Sequence, residues 1–220
     1  MQLVSIGTNK EKEALYRLAY ALAVITIFYN ILEGVVSIYF GLEDETLALF
    51  GFGLDSFVEV ISGVGIWHMI KRISKNYDAT PHHFERQALK ITGTAFYILS
   101  IGLITTAMMD IYQGHKPETT VWGIVISLIS IITMWLLIHY KVKVGKQLNS
   151  QAIVADANCT KVCLYLSIIL LLSSGGYELT GIGGLDSIGA IFIAGFSFKE
   201  GRESFQKAKG LSCSCIDNCH

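Results

Sequence analysis

The chain has 220 residues, of which 52% are hydrophobic and only 16% charged, with a mean hydropathy of +0.49. Soluble domains carry more charge and no such apolar excess, so the composition places the chain in a membrane. The formal net charge of -1 gives no footing for a nucleic-acid partner.

A spanning helix needs about 20 apolar residues. Runs of that kind lie at roughly 15–40, 46–70, 88–112, 119–141, 152–174 and 184–204. They are too long and too continuously apolar for the alternating strands of a membrane barrel, so the expected fold is all-α, an integral bundle of six transmembrane helices. Both prolines, Pro81 and Pro117, fall outside the runs, which predicts uninterrupted helices. The first run is too long for a signal peptide and is read as a retained span. The sixth is the weakest, because Lys199, Glu200, Arg202 and Glu203 begin within its last turns.

Basic residues set the orientation. Lys10, Lys12 and Arg17 precede or open the first span, and Lys71, Arg72, Lys75, Arg86 and Lys90 lie between or at the ends of spans two and three. Lys141, Lys143 and Lys146 separate spans four and five, and Lys199, Arg202, Lys207 and Lys209 end or follow the sixth. The opposite connections hold Glu43-Asp44-Glu45, His115-Lys116 and Gly175-Gly176-Tyr177-Glu178, where Lys116 is the one basic residue. The positive-inside rule then predicts that both termini are cytoplasmic. Three parts follow: a cytoplasmic segment at 1–14, a six-helix transport domain at 15–207 and a Cys/His-rich cytoplasmic tail at 208–220.

Span two contains Asp55 and Glu59, which at about 3.6 residues per turn share one helix face. An acid inside a bilayer is costly, so two stacked on one face read as a functional site. The same i,i+4 spacing returns in span five as Cys159 and Cys163. Two carboxylates and two thiols on two helices could form a four-coordinate metal site. The alternatives are an ion pair of the acids with Lys161, a metal-free proton relay, and two buried cysteines whose spacing is chance. Lys161 lies between the cysteines in sequence but on the far face, where it either snorkels towards the cytoplasm or pairs with an acid such as Glu33. Glu33 itself reads as a proton carrier or a helix-packing group. Glycines 51, 53, 63 and 65 in span two, and 189 and 195 in span six, are expected at close helix crossings. The five cysteines form no disulfide framework, and none lies in a segment placed outside, which fits a reduced setting.

Several segments together resemble the cation diffusion facilitator (cation efflux) family. Leu54-Asp55-Ser56-Phe57-Val58-Glu59 is similar to that family's DxxxD or HxxxD signature in span two. The cytoplasmic connection Pro81-His82-His83-Phe84-Glu85 resembles the His-Pro-Phe-Gly-His-type loop before span three. Ala155-Asp156-Ala157-Asn158-Cys159-Thr160-Lys161-Val162-Cys163 resembles the fifth-span segment, in which an alanine-acid pair precedes HxxxD. Asn30, Gly34 and Leu185-Asp186 also look like family positions. The resemblance implies a metal set of Asp55, Glu59, Cys159 and Cys163, with cysteines where the family has His and Asp. It also implies a short form, since only residues 208–220 stand where many members carry a cytoplasmic domain.

Thiolates with carboxylates in a tetrahedral set suit zinc; cadmium is the rival, and manganese fits two sulfurs poorly. The resemblance implies export of the divalent ion from the cytoplasm by alternating access with inward proton movement, in the plasma (inner) membrane and as a homodimer. No organic cofactor is expected. A different class of function stays open: a membrane metal-binding regulator that partners a transporter. No Ser/His or Cys/His pair has catalytic spacing in a span, so an enzyme is not expected. Two further groups are read as secondary metal sites. His82 and His83, with His68 and Glu85, form either a surface site or a set of solvated side chains. Cys213, Cys215, Cys219 and His220 either capture metal or end the chain as a reduced, disordered tail.

Overall fold

The computed structural model describes residues 9–43, 47–75, 81–113, 121–180 and 185–210. They form six helices: α1 (Asn9–Glu43), α2 (Leu47–Lys75), α3 (Pro81–Gln113), α4 (Val121–Gln147), α5 (Gln151–Thr180) and α6 (Leu185–Ala208). Each predicted run lies on one of them. The helices extend past the runs because a helix continues for as long as its polar ends find partners or water. Five of them, α1 to α5, are long and apolar enough to cross a membrane by length and composition. The charged last turns of α6 keep it outside that group.

Two expectations about the connections change. Residues 81–85 are the first turn of α3 rather than a loop, with Pro81 at the helix start, where its fixed φ suits a helix and its missing N–H costs nothing. The backbone of 175–178 is helical too, because α5 runs on to Thr180.

The bundle is built from three closely packed pairs, α1 with α2, α3 with α6 and α4 with α5, and α2 also packs on α3 and α5. In their most apolar stretches α5 and α2 are 61% and 56% buried, against 33–44% for the other three candidate spans, so these two are the inner helices. At the α1–α2 crossing an ideal Cβ on Gly53 would lie 2.9 Å from the Gly34 carbonyl oxygen and 2.8 Å from Ile38 Cγ1. Only glycine admits that approach. Glycines 63 and 65 also meet neighbouring helices, whereas Gly195 has nothing within 4 Å and does not serve a crossing. The side chain of Asp186 and the surroundings of residue 189 lie outside the described features.

The turn between α4 and α5 is tight. Asn149 takes a left-handed φ of 51°, and the Ser150 N–H reaches back to the Gly145 carbonyl at 2.9 Å. This is the pattern that closes a helix C-terminus when Asn or Gly follows it. Ser150 then caps α5, accepting the Ile153 N–H at 3.4 Å. Glu85 of α3 accepts the Ser150 hydroxyl at 3.0 Å and the Ala152 N–H at 3.3 Å, placing an anion at the positive end of α5. Arg86, next in sequence, donates to the Ala208 carbonyl at the end of α6 at 2.7 Å. The first turn of α3 therefore fastens two other helices.

Two apolar clusters fill the bundle, one formed by residues such as Ala19, Ile70, Phe84, Val144, Ala152 and Ala208, the other by Leu49, Phe52, Leu103, Ile126, Leu170 and Ile193. The first collects the helix ends next to the basic connections; the second collects the middles and opposite ends. A polar seam along α2 and α5 lies with them.

Candidate metal centre

Among the described residues, four acids and one base are buried: Glu33, Asp55, Glu59, Asp156 and Lys141, none more than 6% exposed. All lie on helices long and apolar enough to cross a membrane. A single ammonium, paired with Glu59 and Asp156, serves four carboxyl groups, so the seam is short of positive charge.

α2 presents Asp55 and Glu59 to α5, as their shared face predicts. The Cys163 thiol donates to Asp55 Oδ2 at 3.0 Å, and both groups are buried. One turn further along α2, Glu59 Oε1 accepts a short hydrogen bond from Thr160 Oγ1 and lies 3.7 Å from Lys141 Nζ. Cys159 is a free, buried thiol packed in the second apolar cluster, while Cys163 packs in the first. Asp55 Oδ1 and Glu59 Oε2 are buried without a hydrogen-bond partner. Such orphaned acceptors are costly away from water and mark places where a cation or proton belongs.

Of the four residues of the expected metal set, the structure joins Asp55 with Cys163 and turns Glu59 towards Thr160 and Lys141. Among the described residues no group of three or more His, Cys, Asp or Glu side chains is gathered closely enough to hold an ion. Glu33 of α1 continues the seam, accepting the Tyr29 hydroxyl at 2.9 Å and the Ser56 hydroxyl at 3.0 Å.

Lys141, Ser62 and Thr92, to which the sequence assigned no site role, complete the seam. Lys141 was assigned to a connection by its charge; in the fold it is buried inside α4, with Nζ 2.8 Å from Asp156 Oδ2 and 2.8 Å from Thr160 Oγ1. Lys161, expected to be the one lysine inside a span, is half-buried and donates to Asn158 Oδ1 at 2.9 Å, so it pairs neither with Glu33 nor with the two acids of α2. Ser62 donates to the other oxygen of Asp156 at 2.7 Å and shares a 3.0 Å hydrogen bond with Thr92 of α3. The signal that could have found Lys141 is Asp156 itself: an acid in an apolar helix needs a counter-charge, and the tight turn at Asn149 folds Lys141 back beside it.

Residues 18–209 match the cation efflux transmembrane domain. The chain belongs to the cation efflux family. Among similar proteins, an uncharacterized transporter of Methanocaldococcus jannaschii is 26% identical over 184 residues, 80% of this chain and 64% of that one. The manganese efflux system protein MneP of Bacillus subtilis is 23% identical over 188 residues, again 80% of this chain and 63% of that protein. Transmembrane protein 163 of Xenopus laevis is 28% identical over 171 residues, 77% of this chain and 58% of that protein. The chain thus spans about three-fifths of the length of these relatives.

Of the secondary groups expected to take metal in this cation efflux domain, His83 is exposed with its ring edge-on to Phe84 at 5.7 Å. Glu85 is engaged in capping α5. The His82 side chain, and Cys213, Cys215, Cys219 and His220, lie outside the described residues.

Proposed function

We propose that this cation efflux chain carries a divalent transition-metal ion, zinc in the first place, out of the cytoplasm in exchange for protons. One observation carries the reading: Asp55 Oδ1 and Glu59 Oε2 are buried and unpartnered on one face of α2, opposite the helix that supplies Cys159 and Cys163. The charge balance supports it, since the seam holds four acids for one lysine. A divalent ion or protons relieve that imbalance in alternation. Metal ions need deprotonated ligands, so binding releases protons and protonation releases metal. A rotation of the Glu59 side chain away from Thr160, towards Asp55 and the thiols, would complete a set of two oxygens and two sulfurs. Such a set suits zinc by softness and by coordination number.

The distribution of basic residues supports cytoplasmic termini. Export by this orientation places the Lys141 and Asp156 end of the seam nearer the cytoplasm. Pairing of two copies into a dimer belongs to the same proposal.

A second reading is manganese, favoured by the similarity to the manganese efflux protein of Bacillus subtilis. The two thiols argue against it, because manganese prefers oxygen donors. The test is flux of zinc and of manganese into proteoliposomes under an imposed pH gradient, with Asp55→Ala beside the parent. Zinc flux that rises with the gradient and disappears in Asp55→Ala is expected. Manganese flux without zinc flux would select the second reading. Zinc binding without flux of either ion would mean a membrane metal-binding regulator instead.

A further inference from the structure

Lys141 is the buried group that the transport cycle as proposed so far does not use. Its ammonium has three hydrogen-bond or ion-pair contacts: Asp156 Oδ2 at 2.8 Å, Thr160 Oγ1 at 2.8 Å and Glu59 Oε1 at 3.7 Å. The Asp156 contact is the closer ion pair, and Asp156 is fixed on its other side by Ser62. Glu59 is the outer partner, linked to the lysine directly and through the Thr160 hydroxyl, which donates to the same Glu59 oxygen. The lysine is held in place by the tight turn at Asn149 and by the close approach of α4 and α5 there, where an ideal Cβ on Gly145 would lie 2.9 Å from Val154 Cγ2. It therefore approaches the seam from the end of α4.

We propose that Lys141 is a tethered competitor of the transported ion: its ammonium holds one oxygen of Glu59 when no ion is bound, and yields Glu59 to an incoming divalent ion while keeping Asp156. This rests on the transport reading above, in which Glu59 is a metal ligand. The geometry shows how the lysine engages one oxygen and leaves the other available, since Glu59 Oε1 is turned to Thr160 and the lysine while Oε2 has no hydrogen-bond partner. An ammonium beside a bound divalent ion repels it, and that repulsion is strong where water is scarce. The lysine lowers the affinity of the site and so eases release. Asp156 serves as the parking place for the displaced ammonium, which explains why an acid is buried at this point of α5. Lys141 is a positioning residue, acting on the ion through Glu59.

The test uses the purified full chain and zinc alone, titrated by calorimetry. Lys141→Met combined with Asp156→Asn removes the ammonium and its inner partner together and leaves Glu59 free. Zinc should then bind at least about tenfold more tightly, which is about 1.4 kcal/mol. Lys141→Arg keeps the charge and can hold Glu59 with two parallel hydrogen bonds. Its zinc affinity should fall severalfold. A lysine that only neutralises Asp156 would leave zinc affinity unchanged in both variants, and that result overturns the proposal. If the double variant does not fold, the fall in Lys141→Arg decides, with unchanged affinity overturning the proposal as before. Asp55→Ala separates the two readings. Loss of zinc binding there with no effect of the Lys141 variants defeats only the competitor role. Retained zinc binding in Asp55→Ala defeats the metal-centre reading on which it rests.

Discussion

Asp55 and Glu59 stand one turn apart on the same face of α2, about 6 Å along the helix axis, and their surroundings differ. Asp55 faces a neutral thiol, Cys163, which gives it one hydrogen bond and leaves its second oxygen bare. Glu59 faces a hydroxyl and an ammonium, and its contacts lead on to Asp156, Ser62 and Thr92 across α3, α4 and α5. One level is open to a cation and held by little else; the other already has a cation of its own. The lesson is that equal spacing on a helix does not make two ligands equivalent, because the facing helices decide what each carboxylate has to give up.

The largest effect should come at the open level. Asp55→Asn removes the carboxylate charge and Cys163→Ala removes a sulfur at the level that has no cation of its own. Zinc affinity measured by calorimetry should fall by more than about 100-fold, since loss of mere supporting partners already costs ~10–100-fold at metal sites. Glu59→Gln should cost less, on the order of tenfold, because binding at Glu59 has to displace Lys141 and the net gain there is smaller. An equal loss at both positions would break the comparison.

Exchanging the sulfurs sharpens it. Cys159→His with Cys163→Asp replaces soft donors by nitrogen and oxygen, which retain zinc and disfavour cadmium. Competitive flux of the two ions in proteoliposomes should show zinc transport kept and relative cadmium transport reduced severalfold. Unchanged cadmium preference would mean that the thiols do not touch the ion.

Smaller effects on stability should follow the helix crossings. Gly53→Ala puts a methyl 2.9 Å from a carbonyl oxygen, and overpacking of this kind costs about 1–3 kcal/mol. Gly195→Ala meets nothing within 4 Å, and alanine favours a helix over glycine by up to about 1 kcal/mol. Thermal unfolding in detergent should therefore start earlier for the first variant and no earlier for the second. The orientation proposed for both levels has its own test, read from labelling alone. In a background without native cysteines, a cysteine at Glu43 should label from outside, and one at Lys143 only after permeabilisation. Labelling of the Lys143 position in intact cells would reverse the direction from which the ion reaches Glu59.

Much of the fold was legible because long apolar runs leave few alternatives. The six helices coincide with the six runs, and the charged end of the sixth explains why α6 stands apart from the five long apolar helices. The pairing of Asp55 with α5 was also legible, since helical periodicity puts Asp55 and Glu59 on one face and Cys159 and Cys163 on another. Periodicity does not tell which facing residue each will meet. Glu59 meets Thr160, a residue between the two cysteines, because the turn at Asn149 sets the axial position of Lys141 beside α5. Lys141 was hidden for a related reason: a lysine at the end of an apolar run looks like a loop charge unless its acid is known. Lys161 was misleading in the opposite sense, since its place mid-run does not reveal that Asn158 and the outer face of α5 accommodate it.

The contact of Gly34 with Gly53 bears on how such a bundle can change shape. Side chains between two helices act as bearings, letting one slide or roll over the other by switching rotamers. Between Gly34 and Gly53 themselves backbone lies against backbone, and Ile38 and Phe57 close the gap on either side. α1 and α2 are therefore geared together at two levels, here and where Gly41 lies against the Phe50 backbone, and can neither shear nor pivot freely. Any motion that turns Asp55 and Glu59 from one face of the membrane to the other has to carry α1 with it as a single lever, with the slippage taken up where α2 meets α5.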